Sequence, residues 1–334
     1  MRPLLHRGAS VLSTLLGLLL LTFLIGRVMP LDPVLAIVGP DADRSTYEQV
    51  YAQLGLDRPL WQQFGRYLGD LLQGDLGRAL LTGSRVSDDL ARVLPATLEL
   101  ATLAMLIGVL LGVPLGVLAA THHRGPWDHL ARVIGLLGHS TPVFWFGMMG
   151  LLVFYAWLGW AGGIGRIGMA FEGQVPRVTG LLLVDSLLAG DMAAFRSAWR
   201  HLLLPACVLG LHSMAYLSRM TRSFMIAQLS QEYIITARVK GLSQRQVVWG
   251  HAFRNIQVQL LTIIALAYGG LLEGAVLVET VFGWPGFGSY LTDSLLLGDM
   301  NAVMGSVLVI GLMFVALNLG VDALYAVFDP RTRT

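Results

Sequence analysis

Three groups of side chains in this sequence could do chemistry: carboxylates inside apolar runs, a set of histidines, and a short basic segment ending in glycine. Glu99, Glu273, Glu279 and Asp322 each interrupt a strongly apolar stretch. A charge where lipid should be is costly to keep, so each is a functional suspect by default. Glu273 lies deepest, about two turns inside its stretch, and is the best candidate for a residue lining a polar pathway, set against a purely structural hydrogen bond. Glu99 and Glu279 are further pathway-lining candidates, although helix-end packing or an arginine partner is the stronger expectation for both, as it is for Asp322.

The histidines point elsewhere. Of His122, His123, His129 and His139, three fall in a basic turn beside Arg124, and a solvated turn is expected there rather than a metal centre. Asp185 and Asp191 precede His201 and are read as anchors of an interfacial helix. The single cysteine, Cys207, excludes an internal disulfide or CxxC site; after Pro205 in an apolar run, it is read as a small buried residue. The sole lysine, Lys240, follows Val239 and precedes Gly241, so the Gly-Lys-Ser/Thr of a Walker A loop is absent and any ATP hydrolysis must come from another chain. None of the serine, aspartyl or zinc motifs of a membrane-embedded protease occurs either. No cofactor is implied.

The elements that would carry these residues are membrane helices. Of 334 residues, 55% are hydrophobic and 13% charged, where a soluble domain carries about 25% charged residues. A net charge of +2 argues against nucleic acid as a partner. Runs of about 20 apolar residues suffice to cross a bilayer, and six occur: about Ser10–Val28, Ala96–Ala120, Val133–Trp160, Leu202–Leu217, Ile256–Val281 and Ala302–Leu324. The first has a basic start but no small-residue cleavage site, and is expected to be retained rather than removed as a signal peptide. Six spans place both termini on one side. That side carries 12 Lys/Arg against 3 Asp/Glu, while the longer opposite segments carry 10 against 14, so both termini are expected to be cytoplasmic.

Residues 30–94 on the outer side are too many for a simple loop. The stretch Trp61, Phe64, Leu68, Leu71 and Leu72 predicts short amphipathic helices at the membrane surface. Gly108, Gly112 and Gly116 recur every four residues, which lets another helix approach closely, and Pro114 predicts a bend.

The most informative segment is Gln231 to Asn255, on the side of the termini. Residues 231–240 contain no helix breaker, and Gly241 is placed as a stop. Ser243 and Gln246 have the spacing of a capping box, predicting a second helix that enters the fifth span. A short, basic, partly apolar helix held between two spans suits docking on another protein, although an ordinary connecting loop accounts for the spacing equally well.

Family resemblance decides between these two. Glu232-Tyr233, Thr236-Ala237-Arg238, Lys240-Gly241-Leu242-Ser243 and His251-Ala252-Phe253-Arg254-Asn255 resemble the EAA loop of permeases in the dipeptide, oligopeptide and nickel ABC importer family. Similar matches run through the chain: Leu94 to Leu100, Gly112 to Gly116, Leu187 to Asp191, His201 to Pro205, Val278 to Phe282 with Trp284-Pro285-Gly286, and Phe328 to Arg331. In one place the chain departs from the pattern. Ile256-Gln257 stands where the family usually has Leu-Pro, so the lead-in to the fifth span should be straighter.

The resemblance implies an all-α membrane protein with the type I ABC importer permease fold. It implies a first helix and outer segment over 1–94, a permease domain over 95–325 and a tail over 326–334. Glu232, Tyr233, Ala237, Arg238, Lys240 and Gly241 would form a coupling helix seated on an ATPase. The implied partners are a second homologous permease, two ABC ATPase subunits, a periplasmic solute-binding protein and the lipid of a bacterial inner membrane. Cargo stays open among di- or oligopeptides, nickel, a metal chelate and an opine. An ion-driven secondary transporter fits less well, since those folds commonly show two related halves.

Overall fold

In a computed structural model of the chain, residues 2–28, 33–39 and 41–328 are described, and they contain no β-strand. They divide into two compact units: residues 1–94 with 289–316, and 95–288 with 317–334. The final Phe328–Arg331 motif runs beyond the described residues, as does the side chain of Asp322.

The first unit begins with α1 (Arg2–Val28), whose apolar stretch Val11–Gly26 is shorter than the four described stretches that are long enough to cross a bilayer. Residues 30–94 form α2 (Pro33–Val38), α3 (Arg44–Gln53) and the amphipathic α4 (Leu60–Leu72). The predicted stripe of α4 is only half-covered: Phe64 packs its ring against Phe23 at 5.3 Å, whereas Trp61 and Leu72 are exposed. Asp299 is buried in this unit, accepts the N–H of Leu80 and caps Ala302.

The second unit is organised around α10 (Met192–Leu229), a helix of 38 residues. Before it come α5 (Val86–Ile107), a π-turn at Gly108–Gly112 and α6 (Val113–Thr121). The glycines serve packing: a Cβ on Gly112 would stand 2.8 Å from the Met214 carbonyl, and one on Gly116 would stand 2.6 Å from that of Ser218. The backbone of α10 therefore fills the groove those glycines open. The predicted bend takes the form of the π-turn just before Pro114, whose ring nitrogen has no hydrogen to give to the preceding turn.

Among the described residues four stretches are long and apolar enough to cross a bilayer: Val86–Thr121, Met192–Leu229, Gln246–Phe282 and Met300–Val321. The run predicted as one span over Val133–Trp160 is instead two helices, α7 (Pro126–Ser140) and α8 (Val143–Gly150), the latter continuing as a π-turn over Leu151–Trp157. They can make a fifth crossing as a bent pair. The break has a local contribution: Thr141 is extended at φ −99°, ψ 130°, the conformation that a following proline favours. Cys207 is exposed on α10 rather than buried as expected; with Leu203, one turn earlier, it faces outward.

The remaining elements are α9 (Leu182–Leu188), α11 (Glu232–Val239), α12 (Phe253–Phe282), α13 (Phe287–Leu297) and α14 (Met300–Phe328). Past Ile256-Gln257, α12 runs unbroken, in line with the missing proline.

Candidate functional site

The segment singled out by sequence is a short helix with two unlike faces. α11 starts with Glu232 and carries Arg238 in its last turn, the charge order that its dipole favours. Ile234 and Ala237, three residues apart, are buried in a cluster formed by Val117 and Ala120 of α6, Met225 of α10, and Val247, Val248 and Ala252 of the π-turn Gln246–Ala252. Full burial of Ile234 stabilises this seat by about 1.5–3 kcal/mol. Gly241 closes the helix at φ +78°, a left-handed conformation that favours glycine. Its N–H reaches the Arg238 carbonyl at 2.9 Å, and the Leu242 N–H reaches that of Ala237 at 3.2 Å. The predicted capping box also forms: the Ser243 N–H donates to Gln246 Oε1 at 3.0 Å, and the Gln246 N–H donates to Ser243 Oγ at 3.4 Å.

The outer face of α11 has no such cover. Glu232, Arg238 and Lys240 are exposed with Ile235, while Val239 is 82% exposed. Tyr233 is held at one edge by its hydroxyl, which donates to Gln228 Oε1 at 2.8 Å. Two outward aliphatic residues among basic ones form a surface suited to contact rather than to catalysis.

The base of α10 next to α11 is tied down by charge. Asp128 is fully buried and accepts from Arg222 Nε at 2.7 Å, Arg132 at 2.6 Å and the backbone N–H of Arg124 at 2.9 Å. This anchors α7 to the helix that leads into α11.

The acidic candidates have three different environments. Glu99 accepts from Arg166 at 2.6 Å and from the Leu183 N–H at 2.8 Å; the guanidinium of Arg166 also lies 5.6 Å from the ring centre of Trp284. Glu279 is fully buried, receives the hydroxyl of Thr97, and lies so near Gly286 that a Cβ there would stand 2.2 Å from the carboxylate. Trp284 Nε1 donates to the Ala96 carbonyl at 3.1 Å in the same knot. Glu273, by contrast, is exposed on α12 in a line with Leu266, Gly270, Leu277 and Thr280. That spacing marks one face of the helix.

Sequence reasoning missed His212. It lines a cavity of about 210 Å³ between α10 and α12 with Ser213, Tyr216 and Gly270, and Gly270 lies one turn from Glu273. His212 Nδ1 is 2.9 Å from the Gly138 carbonyl; a carbonyl only accepts, so Nδ1 carries the proton. The signal was present in the sequence: an ionisable ring in the middle of an apolar span, with Tyr216 one turn on. Asp191 accepts from the N–H groups of Ala193 and Ala194, capping α10. Asp185 accepts from Thr179 and Gly180, its carboxyl held below the usual range: burial pushes it up, but these hydrogen bonds outweigh that.

Comparison with known proteins agrees with this arrangement. Residues 112–334 match the model of the binding-protein-dependent transport system inner membrane component family, and residues 1–101 match that of its N-terminal region. The chain is 40% identical to the di/tripeptide transport system permease protein DppB of Pseudomonas aeruginosa, over 98% of this chain and 97% of the relative. It is 42% identical to the probable D,D-dipeptide transport system permease protein DdpB of Escherichia coli K12, over 94% and 92%. It is 39% identical to the dipeptide transport system permease protein DppB of the same organism, over 98% of both. With a helical membrane fold and a short helix whose outer face is uncovered, the chain belongs to the family of binding-protein-dependent transport system inner membrane components, the non-catalytic permease subunits of ABC importers.

Proposed function

We propose that this permease forms, with a second homologous permease, the translocation pathway for di- and tripeptides. Two ATPase subunits drive it and a periplasmic solute-binding protein supplies it. Its membrane is the bacterial inner membrane, with both termini in the cytoplasm, as the excess of basic residues on that side supports. The N-terminal 1–94 segment, the 95–325 permease region and the 326–334 tail are its functional divisions. Peptide cargo is supported by the dipeptide and di/tripeptide permeases to which the chain is similar along nearly their whole length.

The observation that carries the coupling role is the two-sidedness of α11. Ile234 and Ala237 bind it to its own unit while Ile235, Arg238, Val239 and Lys240 are left for a partner. ATP-driven closure of the ATPase pair would push on this face. The anchored face would pass the displacement to α10 and α12, shifting the spans between inward-open and outward-open states.

The pathway role falls first to Glu273. An exposed carboxylate at this depth is too costly to present to lipid, so the Leu266-to-Thr280 face of α12 is turned to water or to the second permease. Glu99 contributes by tying α5 to Arg166 and Leu183, and Glu279 by holding the end of α12 in place.

Site-directed crosslinking tests the assignment. With Cys207 replaced by serine, a cysteine at Val239 should crosslink to an ATPase subunit in the assembled transporter. Labelling of that cysteine by a membrane-impermeant reagent added from the periplasmic side would overturn it.

A further inference from the structure

The charges on α10 mark where lipid begins. Residues 201–218 contain no Asp, Glu, Lys or Arg and, at about 1.5 Å per residue, extend about 27 Å. That is close to the hydrocarbon thickness of about 30 Å. Arg200 therefore stands at one hydrocarbon boundary, with Arg196 one turn beyond it, at the end of α10 away from α11.

The neighbouring chain marks the same level independently. The π-turn after α8 ends in Trp157, 72% exposed, followed by Trp160, 68% exposed, and exposed tryptophans collect at the membrane interface. This aromatic segment is fastened to the arginine level. The Gly162 N–H donates to the Arg200 carbonyl at 2.7 Å, and Arg200 Nη2 donates to the Gly159 carbonyl at 3.1 Å.

Between the two lies a cavity of about 480 Å³ lined by Tyr155, Phe171, Arg196, Ser197, Arg200 and His201, with no carboxylate in its wall. Among the described residues neither arginine is paired with an acid. The one side-chain hydrogen bond of Arg200 among the described residues uses one of its five N–H donors.

We propose that this cavity binds the phosphate of an anionic phospholipid headgroup, in the leaflet opposite the coupling helix. Two guanidinium groups supply the charge-assisted hydrogen bonds that a phosphate diester accepts, and the aromatic wall borders the first carbons of the lipid. A carboxylate from a docking protein is the other anion that would suit, but the lipid-boundary level and the exposed Trp157 and Trp160 favour lipid. Because α10 leads into α11, a lipid held here would fix the height and tilt of the helix that carries the coupling motion.

The test uses the assembled transporter in nanodiscs of phosphatidylcholine with or without phosphatidylglycerol, with retained lipid counted by native mass spectrometry. Arg196 makes no hydrogen bond or ion pair among the described residues, and Arg196→Gln should weaken phosphatidylglycerol retention roughly fivefold without altering phosphatidylcholine. Arg200→Lys, which keeps the charge, should still retain phosphatidylglycerol, and millimolar inorganic phosphate should not displace it. Equal retention by wild type and Arg196→Gln, or no preference over phosphatidylcholine, would overturn the proposal. So would displacement by inorganic phosphate, or loss of binding-protein affinity in Arg196→Gln with lipid retention unchanged.

Discussion

The Thr97 hydroxyl donates to the Glu279 carboxylate and accepts the Phe287 N–H at 2.7 Å. One small side chain thus serves α5, the end of α12 and the first residue of α13. Removing it leaves a buried carboxylate short of a donor. Thr97→Val should cost about 1–3 kcal/mol, read as a lower melting temperature of the purified complex, while Thr97→Ser should recover most of the loss. An unchanged melting temperature in Thr97→Val would mean that Glu279 is fully satisfied without it.

The two faces of α11 should separate stability from coupling. Ile234→Ala opens a cavity in the seat of the helix and should destabilise the permease by about 2–5 kcal/mol. Val239→Asp alters only an exposed position and should leave the melting temperature in place while cutting solute-stimulated ATP hydrolysis at least tenfold. Equal loss of stability in both variants would contradict the two-faced arrangement.

Gly241 combines a φ of +78° with open space around its missing side chain. A substitution there meets no neighbour inside the chain, so its effect is on backbone conformation and on the partner. Gly241→Asp should insert and assemble but lose solute-stimulated ATP turnover. Gly241→Asn, uncharged and tolerant of the left-handed region, should retain most of it. Full stimulated turnover in Gly241→Asp would count against the coupling role.

Glu273→Gln keeps the size of the side chain and removes its charge. Peptide uptake by proteoliposomes should change severalfold with the complex still assembled. If uptake is unaltered, Glu273 is a structural residue of the α12 face and not part of the pathway.

Asp185 gives an acid-side dependence. Its folded pKa lies below the ordinary value of 3.8, so its contribution to stability is fully present above that value and is lost as pH falls through the folded pKa. Asp185→Asn should flatten the decline of melting temperature at the acid end and leave the neutral-pH slope unchanged. A neutral-pH effect on the slope would assign the dependence to another group.

Much of this arrangement was legible because it is local. The apolar runs follow from the cost of exposing backbone to lipid, the stop at Gly241 from its freedom at positive φ, and the Ser243–Gln246 box from contacts across a single turn. Glu279 and Asp191 could be suspected as anchors from their places at helix ends, and Glu99 from its place near the start of its apolar run, although α5 begins earlier, at Val86.

What residue order determined by itself was the helical membrane class, the absence of a Walker A loop and the place of the short helix α11. Periodicity and short-range hydrogen bonding are encoded within a few residues. Tertiary structure decided the rest: that Val133–Trp160 breaks at Thr141-Pro142, that Cys207 faces outward, that Arg166 is the partner of Glu99, and that His212 lines a cavity with Tyr216. Each depends on which helix faces are covered, and coverage is set by segments far apart in the chain, as Thr97 and Glu279 are.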